Sequence, residues 1–312
     1  MEIIQGVYEF KSDKPTVLTI GTFDGVHIGH QQILKHLIET AKANDLRSCL
    51  LTFYPHPRMV LQKDSGIKMI QSIEEKIEKL REIGLDYLVI HPFSKEFSRL
   101  TAQTYIEDIL VKKLQTKKII IGYDHRFGKN RAADINDLRA YAKEFDFEVI
   151  EISAQAIEEI TVSSTKIRTA LIDGQIEEAN RFLGYDFHFS GTVVKGKALG
   201  KQIGFPTANL KLENPFKLIP KKGVYAVRVL VDEQWYEGMM NIGVNPTILE
   251  SDLSKLKIEI HLFNFNHDIY GKQVRVSLSK FIRDEHKFES VEALKHQIIT
   301  DQKQIQSHFE TH

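Results

Sequence analysis

In GTFDGVHIGHQ, residues 21–31, His27 and His30 stand three apart, directly after the apolar run at 17–20. Three apart at the start of a helix, two imidazoles share a face beside unpaired backbone N–H groups and the positive end of the helix dipole, a position that faces an anion. Gly21, Gly25 and Gly29 around them ask for close backbone approach to a ligand. A zinc reading is weaker, because a metalloprotease pair is four apart with a glutamate between, and no third ligand is adjacent. Two histidines that merely pack would leave the glycines unexplained. A second polar cluster, Ser163, Ser164 and Thr165 with Arg168, stands ahead of a helical pattern. It reads either as an ordinary helix cap or as hydroxyls and a guanidinium fork for phosphate. In GKALGKQIGFPTANL, residues 196–210, three glycines precede Thr207 and Asn209. Two apart in extended chain, these present hard oxygens to one side. The neighbouring GTVVKGKA spells a phosphate loop but ends in Ala198, which has no hydroxyl, and its interior reads as a strand.

Positioning these groups requires a scaffold, and its outline is visible. Up to about residue 184, apolar runs at 17–20, 49–54, 86–91, 117–122 and 147–152 alternate with helix-period segments at 30–44, 72–84, 101–114 and 134–145. Ser72 with Glu75 spells a capping box, and Gly84 closes that helix. The alternation predicts a parallel sheet covered on both faces, a Rossmann-like doubly wound α/β domain over 1–184, with ligands at the carboxyl ends of its strands. From 185 to 312 short β-rich runs separated by Gly, Pro, Asn and Asp predict a compact antiparallel barrel, closed by a helix over 290–309.

Composition narrows the function. Lys plus Arg and Asp plus Glu each number 42, so bulk charge calls for neither a nucleic-acid nor a membrane partner. No run approaches the roughly 18 apolar residues of a membrane span, and there is no leader-like N-terminus. The lone Cys49, inside an apolar run, reads as a buried small hydrophobe. A cytoplasmic protein, monomer or weak oligomer, is expected.

GTFDGVHIGH resembles the HxGH signature of the nucleotidylyltransferases, in the form seen in the bacterial bifunctional riboflavin kinase and FMN adenylyltransferase (FAD synthetase) family. TFYPHPR, IGYDHRFGKNR, SSTKIR, GFPTANL, GVYAV, NIGVNPT, EIHLFNF and FIRDEHKF follow in that family's order across nearly the whole chain. The resemblance implies riboflavin, FMN and ATP as substrates and Mg²⁺ as cofactor. It assigns ATP to Gly21, Phe23, Asp24, His27, Gly29 and His30, and the β- and γ-phosphates to Ser163, Ser164, Thr165 and Arg168. It assigns flavin to Pro57, Arg58, Asp124, Arg126 and Asn130. In the barrel it implies a kinase loop of Gly196, Gly200, Lys201 and Gly204, metal ligands Thr207 and Asn209, and Glu259 as base. His125 stands where relatives often carry an aromatic, and Lys201 where arginine is common, which keeps charge but loses the fork. Two rivals remain: a single-activity adenylyltransferase with a flavin-binding barrel, and a non-catalytic flavin or nucleotide sensor.

Overall fold

The computed structural model describes residues 1–62, 66–122, 126–129, 132–152, 162–196, 200, 203–244 and 256–311. Asp124, Asn130 and Lys201 lie outside them. The chain forms two compact units, Met1–Ser164 and Thr165–His312.

In the first unit β1 (Glu2–Gln5), β2 (Thr16–Ile20), β3 (Arg47–Phe53), β4 (Tyr87–His91), β5 (Thr116–Gly122) and β6 (Glu148–Ile152) form a sheet in the order β1-β4-β3-β2-β5-β6. All its pairings are parallel. The central strands are near-continuous apolar runs because both faces are covered. Alternate residues serve opposite faces: Leu18, Leu51 and Val89 join one core, Val17, Leu50 and Leu88 the other. Helices α1 (Ile28–Ala43) and α3 (Ile73–Ile83) supply Leu34, Leu37 and Leu80 to the second core. A short α4 (Ala102–Thr104), continuing as a π-helix over Tyr105–Lys113, and α5 (Ile135–Phe145) cover the first. Cys49 is buried there. Strand β1 goes beyond the sequence expectation: four residues at a sheet edge are too few to show a period. The order reverses at β2, which has β3 on one side and β5 on the other. The carboxyl ends of β2 and β5 therefore flank the crevice where such sheets bind ligands.

Helix α6 (Ser164–Asp173) begins where the first unit ends, and α7 (Ile176–Leu183) packs on the barrel through Asn180, whose amide donates to the Leu278 carbonyl at 2.9 Å. The barrel strands are β7 (His188–Val194), β8 (Ala208–Leu212), β9 (Gly223–Val231), β10 (Gln234–Val244), β11 (Leu256–Leu262) and β12 (Gln273–Arg283), closed in the order β10-β11-β8-β7-β12-β9 with antiparallel pairing. On β11, buried Ile258, Ile260 and Leu262 alternate with half-buried Lys257, Glu259 and His261, so Glu259 belongs to the outer face. The C-terminal α8 (Val291–Thr311) lies on the outside of the barrel, where Ile305 and Phe309 meet Ala226, Met239 and Phe263. The Arg283 guanidinium donates to both oxygens of the buried Asp301 on that helix at 2.8–3.0 Å. Ile305→Ala should destabilise the chain by about 2–4 kcal/mol, because a fully buried side chain leaves a cavity between helix and barrel. Denaturant unfolding measures this, and a change below about 1 kcal/mol would show that the helix repacks freely.

Candidate active sites

Helix α1 starts at the carboxyl end of β2 with His27 as its N-cap. The His30 backbone N–H donates to His27 Nδ1 at 3.4 Å, which puts the His27 proton on Nε2. The two rings stack with centroids 3.6 Å apart and planes 19° apart, and Phe23 tilts against His30 at 4.6 Å. Burial pulls His27 down to about 4, against an opposing pull from Asp24. Burial, then the neighbouring His27 and Lys76, holds His30 well below the ordinary histidine value. The pair is therefore neutral near pH 7 and offers N–H donors rather than charge. Nδ1 of His30 is buried without a partner among the described residues, as a group awaiting a ligand would be.

The turn feeding this pair is tied down on all sides. The buried Asp24 carboxylate accepts from the Ile70 N–H at 3.1 Å and the Gln71 N–H at 3.3 Å, and its carbonyl accepts from Ser164 Oγ at 2.9 Å. Gly21 lies against the Phe23 ring, which a Cβ there would meet at 2.9 Å, and Gly29 is buried in the first turn of α1. Ser163 precedes α6, Thr165 lies exposed in its first turn, and Arg168 is half-buried three residues on.

Past the end of β3, Pro57 opens the short α2 (Pro57–Leu61), whose N-cap His56 accepts from the Arg58 N–H at 3.1 Å; the Arg58 side chain is exposed. Arg126 is also exposed. Near the ends of β3 and β4 the structure adds a group that sequence reading missed. Phe53 meets Phe93 at 5.5 Å and Phe97 at 5.6 Å, and Phe97 meets His91 at 4.4 Å and Tyr105 at 5.9 Å. Only the aromatic density of HPFSKEF after a strand pointed to it.

In the barrel, Glu259 stands directly opposite Asn209 on β8 and opposite Asn241 on β10. Directly opposed residues of antiparallel strands share a face, so the three polar side chains form a row on the outside of the barrel. Lys257 Nζ lies 2.8 Å from Glu259 Oε2. The Asn241 amide donates to Glu285 Oε1 at 2.9 Å, and Glu285 lies over Gly243, where a Cβ would overlap its carboxylate. A Cβ at Gly196 would likewise overlap the Asn209 amide, and one at Gly200 the Phe205 carbonyl with Thr207 Oγ1 at 3.3 Å. Gly204 has φ +89°, which favours glycine. Thr207, with Pro206, Phe265 and Tyr270, also lines a cavity of about 410 Å³. Among the described residues no three His, Cys, Asp or Glu side chains converge as a metal cage.

Residues 9–166 match the FAD synthetase family profile and residues 183–309 the riboflavin kinase profile. Proteins described as bifunctional riboflavin kinase/FMN adenylyltransferase are similar over almost the full length. The one from Listeria monocytogenes is 37% identical, with 96% of this chain and 94% of the relative covered. The one from Escherichia coli K12 is 37% identical, with 97% and 96% covered. The chain belongs to the bifunctional riboflavin kinase/FMN adenylyltransferase family.

As a family member it is a bifunctional enzyme of FAD formation, with a FAD synthetase domain followed by a riboflavin kinase domain. A Streptococcus pneumoniae crystal structure described as a macrolide-efflux protein superposes with a TM-score of 0.85 over 97% of each chain, at 33% identity. No helix among the described residues here is long and apolar enough to cross a membrane.

The neutral, buried His27 of the FAD synthetase domain has a consequence for stability. Its folded value of about 4 lies below the ordinary 6.5, so between those values the unfolded chain takes the proton first. Stability is full above about pH 6.5 and is lost as pH falls toward 4, by up to about 3 kcal/mol. The melting temperature should fall over that window, and His27→Gln should flatten the fall; an identical pH slope in the two proteins would show that His27 is not the group responsible.

Proposed function

We propose that residues 1–184 transfer AMP from ATP to FMN and residues 185–312 phosphorylate riboflavin. The stacked, neutral histidine pair at the N-terminus of α1 carries the first assignment. The FMN phosphate oxygen bonds to the α-phosphorus of ATP while the bond to pyrophosphate breaks, and charge builds on nonbridging oxygens. The Nε2–H of His27 and the His30 ring, beside the helix N-terminus, stabilise that charge without forming a covalent intermediate. Gly21 and Gly29 let the phosphates approach the backbone, Phe23 seats the His30 ring, and Asp24 contributes by holding the turn. Ser163, Ser164, Thr165 and Arg168 bind the β- and γ-phosphates. Pro57, Arg58, Asp124, Arg126 and Asn130 bind FMN, and the Phe53–Phe97 aromatic group supplies the apolar wall its ring needs.

In the second domain Glu259 takes the proton from the ribityl hydroxyl as the hydroxyl oxygen bonds to the γ-phosphorus of ATP and the bond from that phosphorus to ADP breaks, ADP leaving. The register that sets Glu259 opposite Asn209 supports this reading, because it aligns a carboxylate with the polar groups assigned to ATP. Gly196, Gly200, Lys201 and Gly204 form the loop over the ATP phosphates, and the cavity beside Thr207 takes the adenine. The residues fit Mg²⁺: two hard oxygens, Thr207 Oγ1 and the Asn209 carbonyl, in a site without a full protein cage suit an ion that keeps waters and shares the substrate's phosphates. When bound, Mg²⁺ offsets the negative charge of those phosphates. Charge balance and the lone, buried Cys49 support a cytoplasmic monomer or weak oligomer.

Two variants test the division of labour. His30→Ala should cut FAD formation from FMN by roughly 10²–10³ in kcat while FMN formation from riboflavin stays near wild type, and equal loss of both in a folded protein would refute separate sites. Glu259→Gln should lower kinase turnover by about 10² or more with little change in riboflavin affinity, read by fluorescence quenching beside product formation. Turnover near wild type would remove Glu259 as base.

A further inference from the structure

The turn between β2 and α1 is strained. Phe23 at φ +46°, Gly25 at +87° and Val26 at +33° put three of the four residues between Thr22 and His27 in the left-handed region. A β-branched residue there is an outlier that persists only when its surroundings over-determine it. Several ties do so: the Asp24 carboxylate on the Ile70 and Gln71 N–H groups, Ser164 Oγ on the Asp24 carbonyl, and Gln31 Nε2 on the Val26 carbonyl at 2.8 Å. One tie differs in kind. From α3, Lys76 donates to the Thr22 carbonyl at 2.6 Å, and Lys76 is only 4% exposed.

A buried ammonium is a costly partner for one carbonyl, and the Thr52 hydroxyl already reaches the same oxygen at 3.4 Å. A buried ion pair replaced whole by apolar side chains is often neutral or stabilising, whereas removing one charge leaves its partner uncompensated. Asp24, which acts on Lys76, keeps the Ile70 and Gln71 N–H groups as its own partners. Stability alone therefore does not explain a lysine here. We propose that Lys76 is a positioning residue for adenylyl transfer: through the Thr22 carbonyl it fixes the left-handed turn that sets His27 and His30 at the N-terminus of α1. Its cation also opposes a second cation beside it. The titratable and charged groups bearing on His30 are His27, stacked on it, and Lys76, while Asp24 acts on His27 and Lys76. Through Lys76, helix α3 thus governs both the placement and the protonation of the histidine pair.

The inference rests on the assignment of His27 and His30 to adenylyl transfer, so His30→Ala is assayed alongside. Lys76→Met and Lys76→Gln are compared with wild type for FAD formation from FMN and ATP, FMN formation from riboflavin, thermal unfolding, and the pH profile of FAD formation. Both variants should lose about 10- to 100-fold in kcat for FAD, the scale of a misplaced catalytic group, with KM for ATP and FMN within about 3-fold. Kinase turnover and melting temperature should hold. The acid limb of the FAD profile should move to higher pH, because His30 protonates more readily once the cation is gone. Kcat for FAD within about 3-fold of wild type in both variants, where His30→Ala is inactive, would overturn the role of Lys76 alone. A loss of FAD formation with lowered melting temperature and an unmoved acid limb in both would make Lys76 a folding residue only. An active His30→Ala would instead overturn the site assignment.

Discussion

Two imidazoles stacked 3.6 Å apart and withdrawn from water cannot both be cations, and the FAD synthetase domain is arranged around that constraint. Neutral rings attract anions weakly by charge, so in the proposed role their strength comes from N–H donors held in place. The helix cap fixes which nitrogen of His27 keeps its proton. The turn fixes where the cap sits, and the reversal of strand order at β2 opens the crevice it faces. Each level costs something that the next offsets: left-handed residues at Phe23 and Val26 are tolerated because Ile70 with Gln71, Ser164, Gln31 and Lys76 hold the turn from four different places in the chain.

In the kinase domain the equivalent device is register. An antiparallel pair in which one strand slipped by a single residue would turn Glu259 into the barrel and Ile258 or Ile260 out, a change that the alternation on β11 forbids. The apolar inner face thus fixes the position of a polar row it never touches. Asn209, Glu259 and Asn241 are aligned because Ile258 and Leu210 must be buried. The bare Cα atoms of Gly196, Gly200 and Gly243 let other backbone and side chains close over that row.

Much of this was legible in the sequence because it rests on local rules. The five expected strands of the first unit fall within two residues of their observed ends, and the capping box of Ser72 with Glu75 forms with both of its bonds, at 2.9 and 3.2 Å. What escaped depends on tertiary context. Lys76 sits between Glu75 and Ile77 in a segment rich in charge, where a lysine reads as solvated; only the fold shows it 4% exposed with its head on Thr22. The aromatic group of Phe53, Phe93 and Phe97 is scattered over more than forty positions and shares no period. Asn241 and Glu285 lie in stretches recognisable by resemblance, yet nothing in either stretch says that one bonds the other.

The two sites differ in one respect that their chemistry requires. The second pKa of a phosphate monoester is near 6, so FMN reaches the first site already an anion and needs no base to attack. A free carboxylate there would repel both substrates. The one beside the histidines, Asp24, has its oxygens turned onto the Ile70 and Gln71 amides, where it strengthens the turn instead. Riboflavin brings a hydroxyl, whose proton must leave, and a carboxylate becomes necessary even though it stands near ATP phosphates. On the proposed assignment of Glu259, Lys257, 2.8 Å away, offsets that repulsion without removing the base, since an ion pair that is partly exposed is weak enough to yield to substrate. On the proposed assignments, a neutral pair of donors in one domain and a cation-paired carboxylate in the other follow from whether the nucleophile arrives charged.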